Sequence, residues 1–483
     1  MISIHQSNRL TQWAILKANT GPLTKLRKMR LKSVLLVFLG TLTFMLPAFY
    51  NGFPLVFSDT GMYVMSGMEL FVPVDRPITY GLLLRLWSFL GLWGVVIFQS
   101  LCLAYTLWLV CAHLLDTNAD RFYPIISVFL ASTGAAAWYS SQLMPDIFSA
   151  ILVLCVFLTL NSKRFSVSDI PVFAILWLSA LVHYSHILLL IALFLVVVLW
   201  HLLAKQKAFP VRSILALGAV TLLASLSLAL LNLQLDGRFG WSKGGHVFIV
   251  GRMIDTGIAQ QYLEDHCDDK DLIWCEYASE LPTDSRALLW DPESPLSDMG
   301  GWEGSKAANT QLIDSVIKDP GSWLPLLGYG LQGTISQLTQ NDVGSGLMTD
   351  WYSKPGSPPY DHIKTHFPGQ MNQYLQSRQN GNLWDQDLNL TGFNMANYIL
   401  IVGSVLMLLF LRLSFWWEHL SSTLRLAITV VLLGIVVNAA ITGGLANIYD
   451  RLQARVSWLI VFLAIAAFVE MRQLIRLSKA AVD

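Results

Sequence analysis

Charge is scarce in this chain. Only 13% of its 483 residues are Asp, Glu, Lys or Arg, and 32 basic residues balance 32 acidic ones. With no net charge there is no electrostatic footprint for nucleic acid, so no nucleic-acid partner is expected. Hydrophobic residues make up 54% and mean hydropathy is +0.52. A soluble globular domain lies well below that value, so the chain reads as an all-α polytopic membrane protein. No internal repeat or heptad pattern is found. A cleavable leader is not expected either: "MLPAFYNG" offers no good small-residue cleavage site, and the first span is taken as permanent.

Cysteine is also scarce, with five in all. Cys102, Cys111 and Cys155 fall in apolar runs and are expected to pack there. Cys267 and Cys275 lie in "HCDDKDLIWCEY", in a segment expected to face an oxidising compartment, where a local disulfide is the expectation. Two free thiols are the alternative, and the spacing is not that of zinc ligands.

What is abundant is apolar sequence. Runs near 33–50, 92–115, 122–140, 146–161, 169–184, 186–204, 211–231, 396–414, 424–443 and 456–471 predict about ten transmembrane helices. Residues 1–32 form a basic arm, 33–231 an N-terminal membrane module of about seven spans with a long first outer loop at 51–91, and 396–483 a C-terminal module of about three. The segment 232–395 reads as one hydrophilic insertion, helical and irregular, with ten Lys and Arg against 21 Asp and Glu, a net of −11. If every run crosses, Lys and Arg of the short loops gather on the side of both termini, among them Lys32, Lys163, Arg164, Lys205, Lys207, Arg412, Arg425, Arg472, Arg476 and Lys479. Both termini are then cytoplasmic, and the insertion and Asp59 face outward, towards a periplasm or lumen.

Ionisable groups beside the outer span ends are costly and hence candidates for function. Asp59, in "FSDTGMY", is either the N-cap of a helix or a base or anchor for a substrate hydroxyl. Asp146, in "SSQLMPDIFSAI", either sits at a positive helix end or adds a second acidic group to the same cavity. His183 and His186 share a helical face, as a hydrogen-bonded core pair or as ligands orienting phosphate or sugar. Arg451 and Arg455, in "YDRLQARVSWL", share a face four residues apart, with Asp450 available to pair with one of them. They either snorkel or hold a lipid-anchored phosphate or pyrophosphate. Lys243 and Arg252 flank the glycine-rich "GRFGWSKGGHVFIVGR", a flexible linker or a weak anion nest without Walker A order. Arg76 and Tyr80, in "DRPITYGLLLRL", complete the substrate-binding candidates, while Glu69 and Asp75 are not assumed to join them. Asp361, His362 and His366 mimic a metal triad, but Pro358, Pro359 and Pro368 leave little room for a helix, and a loop or lid is expected. "NLT" at 389–391 matters only in a eukaryotic lumen.

Taken together, "NGFPLVFSDTGMYV" followed by "DRPITYGLLLRL", "MPDIFSAIL" and "YDRLQARVSWL" resemble the GT-C superfamily of polyprenyl-phosphate-sugar glycosyltransferases, in its bacterial form. The resemblance implies a GT-C-like fold in a bacterial inner membrane, with the catalytic carboxylate at Asp59 and an acidic site residue at Asp146. It implies a polyprenyl-phosphate-linked sugar donor, a glycan, lipid or protein acceptor, contact with membrane lipids, no required cofactor and an optional divalent metal. Three departures are visible: one Asp in the first loop instead of a pair, a soluble part that precedes the last three spans, and no sequon-binding tryptophan motif. They favour transfer of a single sugar over an oligosaccharide. The rival readings are a flippase for a lipid-linked glycan, against which the missing repeat counts, and a non-enzymatic envelope scaffold.

Overall fold

In the computed structural model, which describes residues 31–162, 165–204, 209–268, 271–347, 350–381 and 390–480, the regular elements are helices. One isolated parallel bridge, Leu55 to Gln142, is the sole strand-type pairing among the described residues. Most of the basic arm, at residues 1–30, lies outside the described residues, as do Lys163, Arg164, Lys205, Lys207, the side chain of Lys479 and the start of the 389–391 sequon. The principal helices are α1 (Leu31–Phe44), α2 (Thr60–Glu69), α3 (Thr79–Leu86), α4 (Trp93–Leu115), α5 (Ala119–Thr133), α6 (Ile147–Asn161), α7 (Ile170–Leu181), α8 (Tyr184–Leu203), α9 (Val211–Asp236), α10 (Gly245–Asp255), α11 (Lys306–Lys318), α12 (Pro320–Leu338), α13 (Pro358–His366), α14 (Leu390–Leu413), α15 (Ser422–Leu445) and α16 (Asp450–Ala480).

Inside a bilayer each backbone N–H and C=O must find a partner within the protein, which a helix supplies. Six helical segments are long and apolar enough to cross: Trp93–Thr133, which holds α4, a turn and α5; α8; α9; α14; α15; and Asp450–Arg476 of α16. The chain is a helical membrane protein. Leu31–Phe44, Ile147–Asn161 and Val167–Leu181 are apolar but shorter. Six segments stand against about ten apolar runs because runs 92–115 and 122–140 share the segment Trp93–Thr133 and runs 33–50, 146–161 and 169–184 make shorter helices. Run 33–50 breaks at Met45, before a short helix with Pro47 in its first turn, and run 122–140 breaks at Gly134. Run 146–161 makes 15 helical residues.

The segment 232–395 is not one insertion in packing terms. Residues 247–316 close around their own core of Val247, Leu263, Trp274, Leu288, Leu312 and Val316, beside which the Cys267–Cys275 disulfide joins Cα atoms 5.6 Å apart. The rest returns to the main body: α12 packs along α15 and α13 against α2. The expected loop or lid at 352–369 is in fact largely helix. Pro358 and Pro359 occupy the first turn, where no backbone N–H is needed, and the Ser357 hydroxyl accepts from Tyr360 N at 3.4 Å. Further on, Gln379 clamps the first outer loop: its Oε1 accepts from Val56 N at 3.0 Å and its Nε2 donates to Val56 O at 2.7 Å.

Where α12 meets α15 the backbones touch. A Cβ on Gly443 would collide with the carbonyl of Gly333, and one on Gly333 with the carbonyl of Gly443. Such small-residue contacts let helices approach without a hydrophobic driving force. Gly443→Ala is expected to destabilise by about 1–3 kcal/mol, as overpacking does. Gly403→Ala on α14, where nothing lies within 4 Å, should leave the melting temperature in detergent unchanged.

Candidate functional site

The chain between α5 and α6 leaves helix while still buried, so its carbonyls need partners. Gln99 of α4 donates to Ser140 O at 2.8 Å and Gln142 O at 2.6 Å. The first outer loop supplies the rest: Leu55 N donates to Ser141 O at 2.9 Å, and Leu143 N donates to Leu55 O at 2.8 Å. Thr60 Oγ1 donates to Leu143 O at 3.2 Å and accepts from Phe57 N at 2.9 Å. This lacing fixes the start of α2, at Asp59, beside the start of α6, at Asp146. The first residues of α8 and α16 reach the same place, through Ser185 and Arg455.

Asp59 stands at the N-cap position the sequence suggested and Asp146 at the positive end of α6, also as its N-cap residue, yet neither side chain makes a capping hydrogen bond. Both carboxylates go to arginines instead. Arg76 Nη2 lies 3.2 Å from Asp59 Oδ1, and its Nη1 donates to Asp59 O at 3.0 Å. Arg451 Nη2 lies 3.1 Å from Asp59 Oδ2, and its Nη1 is 3.8 Å from Asp146 Oδ2. Arg455 Nη1 is 3.1 Å from Asp146 Oδ1, and its Nη2 donates to Ser185 Oγ at 3.0 Å and Asn438 Oδ1 at 3.1 Å. Asp75 closes the outer end on Arg76. The result is a file of alternating sign, Asp75–Arg76–Asp59–Arg451–Asp146–Arg455, running from a partly exposed end to a fully buried one. Aromatic faces line it: Arg451 lies over Phe57 at 4.6 Å and Arg76 over Tyr63 at 5.0 Å.

Five predicted residues thus meet: Asp59, Arg76, Asp146, Arg451 and Arg455. Three lie behind them. Tyr80 packs edge-on to Tyr63 at 4.9 Å and donates to Gln99 at 3.0 Å. His183 Nδ1 accepts from Ser185, the residue that Arg455 contacts. His186 is a buried core histidine, its ring nitrogens 2.6 Å from Ser149 Oγ and 2.9 Å from Ser179 O. Two lie apart. Lys243 is taken by Asp236 at 2.6 Å and Glu303 at 3.6 Å, and Arg252 sits 3.8 Å from Asp255. Asp450 does not pair with Arg451 or Arg455. Its Oδ1 accepts from Asp342 N at 3.2 Å, because Asp59 and Asp146 already hold the guanidiniums. Glu69 faces His366 at 3.1 Å, on the far side of α2. Sequence reasoning set aside Asp75, which neighbours Arg76 in the chain, and missed Asn438, a polar residue inside an apolar run, which is the signal that marks it.

Among the described residues no group of three His, Cys, Asp or Glu is arranged to hold a metal. Both Asp59 oxygens accept from arginines, so a divalent cation would have to displace them, and no step below is routed through one. Comparisons with family models, with curated proteins and with solved structures each found no match.

Burial alone would push the Asp59 carboxyl up, but the guanidiniums of Arg76 and Arg451 outweigh it and hold it well below the usual carboxylate range. A depressed folded-state pKa contributes stability that is complete above the unfolded value, about 4, and lost only as pH falls through the folded one. The melting-temperature difference between wild type and Asp59→Asn should therefore stay constant from about pH 5 to 9 and shrink only in stronger acid. At the buried end, Asp146→Ala strands a guanidinium and is expected to cost about 3–5 kcal/mol. A double-mutant cycle with Arg455→Met, read by denaturant unfolding in detergent, should return a loss smaller than the sum of the single losses.

Proposed function

We propose that this protein is a membrane glycosyltransferase that moves one sugar from a polyprenyl-phosphate donor to a cell-envelope glycan, lipid or protein acceptor. It acts at the outer face of a bacterial inner membrane, with about ten passes in a GT-C-like arrangement, cytoplasmic termini and the 247–316 unit periplasmic. The observation that carries this reading is the Arg76–Asp59–Arg451 trio, in which Asp59 and Arg451 are partly exposed, backed by buried Asp146 and Arg455 at the ends of apolar helices. Guanidinium forks suit a phosphate anchored in lipid, and an adjacent carboxylate suits an acceptor hydroxyl. Nucleotide sugars are not normally present on that face, which points to a lipid phosphate as leaving group.

In the reaction the acceptor oxygen attacks the anomeric carbon and the bond from that carbon to the phosphate oxygen breaks. The phosphate leaves with the electron pair, the hydroxyl proton passes to Asp59, and the configuration inverts. A carboxylate held by two arginines is a weak base. Donor phosphate seated on Arg451 and Arg76 would compete for those guanidiniums and return basicity to Asp59 where the acceptor needs it.

The test offers purified protein in lipid a set of radiolabelled polyprenyl-phosphate sugars and a lipid extract from the host. Wild type should transfer label, and a folded Asp59→Asn variant should turn over about 10²–10⁴-fold more slowly. Arg451→Ala should raise the KM for donor and lower kcat by about 10²–10³-fold. Full transfer by Asp59→Asn would remove Asp59 from the chemistry. No transfer with any donor, while labelled lipid crosses proteoliposomes, would replace the enzyme with a flippase.

A further inference from the structure

The 19 residues of α12 include no Asp, Glu, Lys or Arg, although the 232–395 segment holds 31 of them. The helix begins sharply: the Asp319 side chain accepts from Gly321 N at 3.2 Å and Pro320 fills the first position. Its inward face is occupied along its whole length. Leu326 and Tyr329 pack on the core of the 247–316 unit, and Gly333 and Gln337 meet α15 and the chain beyond it. Its other face carries Leu324, Leu327, Leu331 and Ile335, which are 79%, 66%, 65% and 63% exposed. Steps of three and four residues place these four on one stripe. A stripe of that kind marks an interaction surface.

The surroundings of the helix say what covers it. α12 touches backbone to backbone with α15, a helix long and apolar enough to span. At its C-terminal end it meets a second such helix: Tyr398 of α14 donates to Thr339 O at 2.6 Å. From that contact α14 continues outward-facing with Met395, Ile399, Val402 and Leu406, all exposed. On a spanning helix such residues face lipid. The α12 stripe therefore joins a surface that is already lipid-facing, and at its other end exposed Trp323 suits the interfacial belt. A second protein subunit has no comparable support in charge or shape.

We propose that α12 is seated in the membrane leaflet on the side of the 247–316 unit, its leucine stripe against acyl chains. The segment 232–395 is then two aqueous parts separated by a lipid-seated helix. That helix also sets the site: Gln337 donates to Tyr449 O at 2.8 Å and accepts from Tyr449 N at 3.2 Å, two residues before Arg451. The inference concerns placement and stands independently of the proposed transfer activity.

The test places a nitroxide at Leu327→Cys or Leu331→Cys in the full chain, reconstituted in nanodiscs, and reads collision with oxygen against a water-soluble nickel chelate. The free native thiols, Cys102, Cys111 and Cys155, are buried, and the wild type gives their background. Leu406→Cys on α14 is the lipid reference and Asp314→Cys on α11 the aqueous one. The oxygen-to-nickel ratio on the stripe should match the Leu406 position and exceed the Asp314 position several-fold. A ratio equal to that at Asp314 would overturn the proposal. So would exclusion of both reagents with spin–spin broadening that disappears on dilution with unlabelled protein, which would show a second copy on the stripe.

Discussion

The Asp146–Arg455 ion pair is the constraint on which the site depends. Arg455 lies one turn inside α16, and both partners are sealed from solvent. Neither charge could be buried alone, because the desolvation cost of one ion is several kcal/mol. Their pairing brings the start of α6, the start of α8 and the last turns of α15 to α16 at one point, since Ser185 and Asn438 accept from the guanidinium's Nη2. Asn438 is itself held by the backbone of Leu452, which it reaches at 2.7 Å. A polar group within an apolar helix thus fixes the register of α15 against α16.

From that fixed end the charge file extends outward to partly exposed groups. Arg451 bridges the two aspartates, and Arg76 reaches Asp59 from a separate loop. The outer loop that carries Asp59 is not free to move, because the lacing to residues 141–143 on one side and Gln379 on the other closes its backbone bonds. Rigid backbone beneath a partly exposed, charge-paired side chain is the combination that preorganised sites require.

Much of this was readable in the chain, and the limits have physical causes. Asp59, Asp146, Arg451 and Arg455 were legible because a charge beside an apolar run is costly and so conspicuous. Their mutual pairing was not, because Asp59 and Arg451 are separated by 392 positions. Local reasoning instead offered Asp450 as a partner for the arginines, and weighed an N-cap for Asp59 and a positive helix end for Asp146 against a shared cavity. For Lys243 the glycine-rich flank left a flexible linker and a weak anion nest open, whereas its ion pairs with Asp236 and Glu303, one of them far along the chain, were not legible. The all-helical class was legible from apolar runs alone. The helix lengths were not, since a run can stay apolar through a break such as Met45 or Gly134.

The balance of the charge file bears on what it can bind. Three carboxylates face three guanidiniums, so the resting cluster has no excess positive charge to offer an anion. An incoming phosphate must take a guanidinium from a carboxylate that already holds it. At the inner end this exchange is closed, because releasing Arg455 would leave the buried Asp146 carboxylate with only its 3.8 Å contact to Arg451. At the outer end it is open: Asp59 and Arg451 are partly exposed, and water can compensate the partner that is released. Under the proposed reading, phosphate capture and freeing of the Asp59 carboxylate are then one event. A base that is quenched until the leaving group arrives would not deprotonate an acceptor in an empty site, and the alternating order of the file is what couples the two.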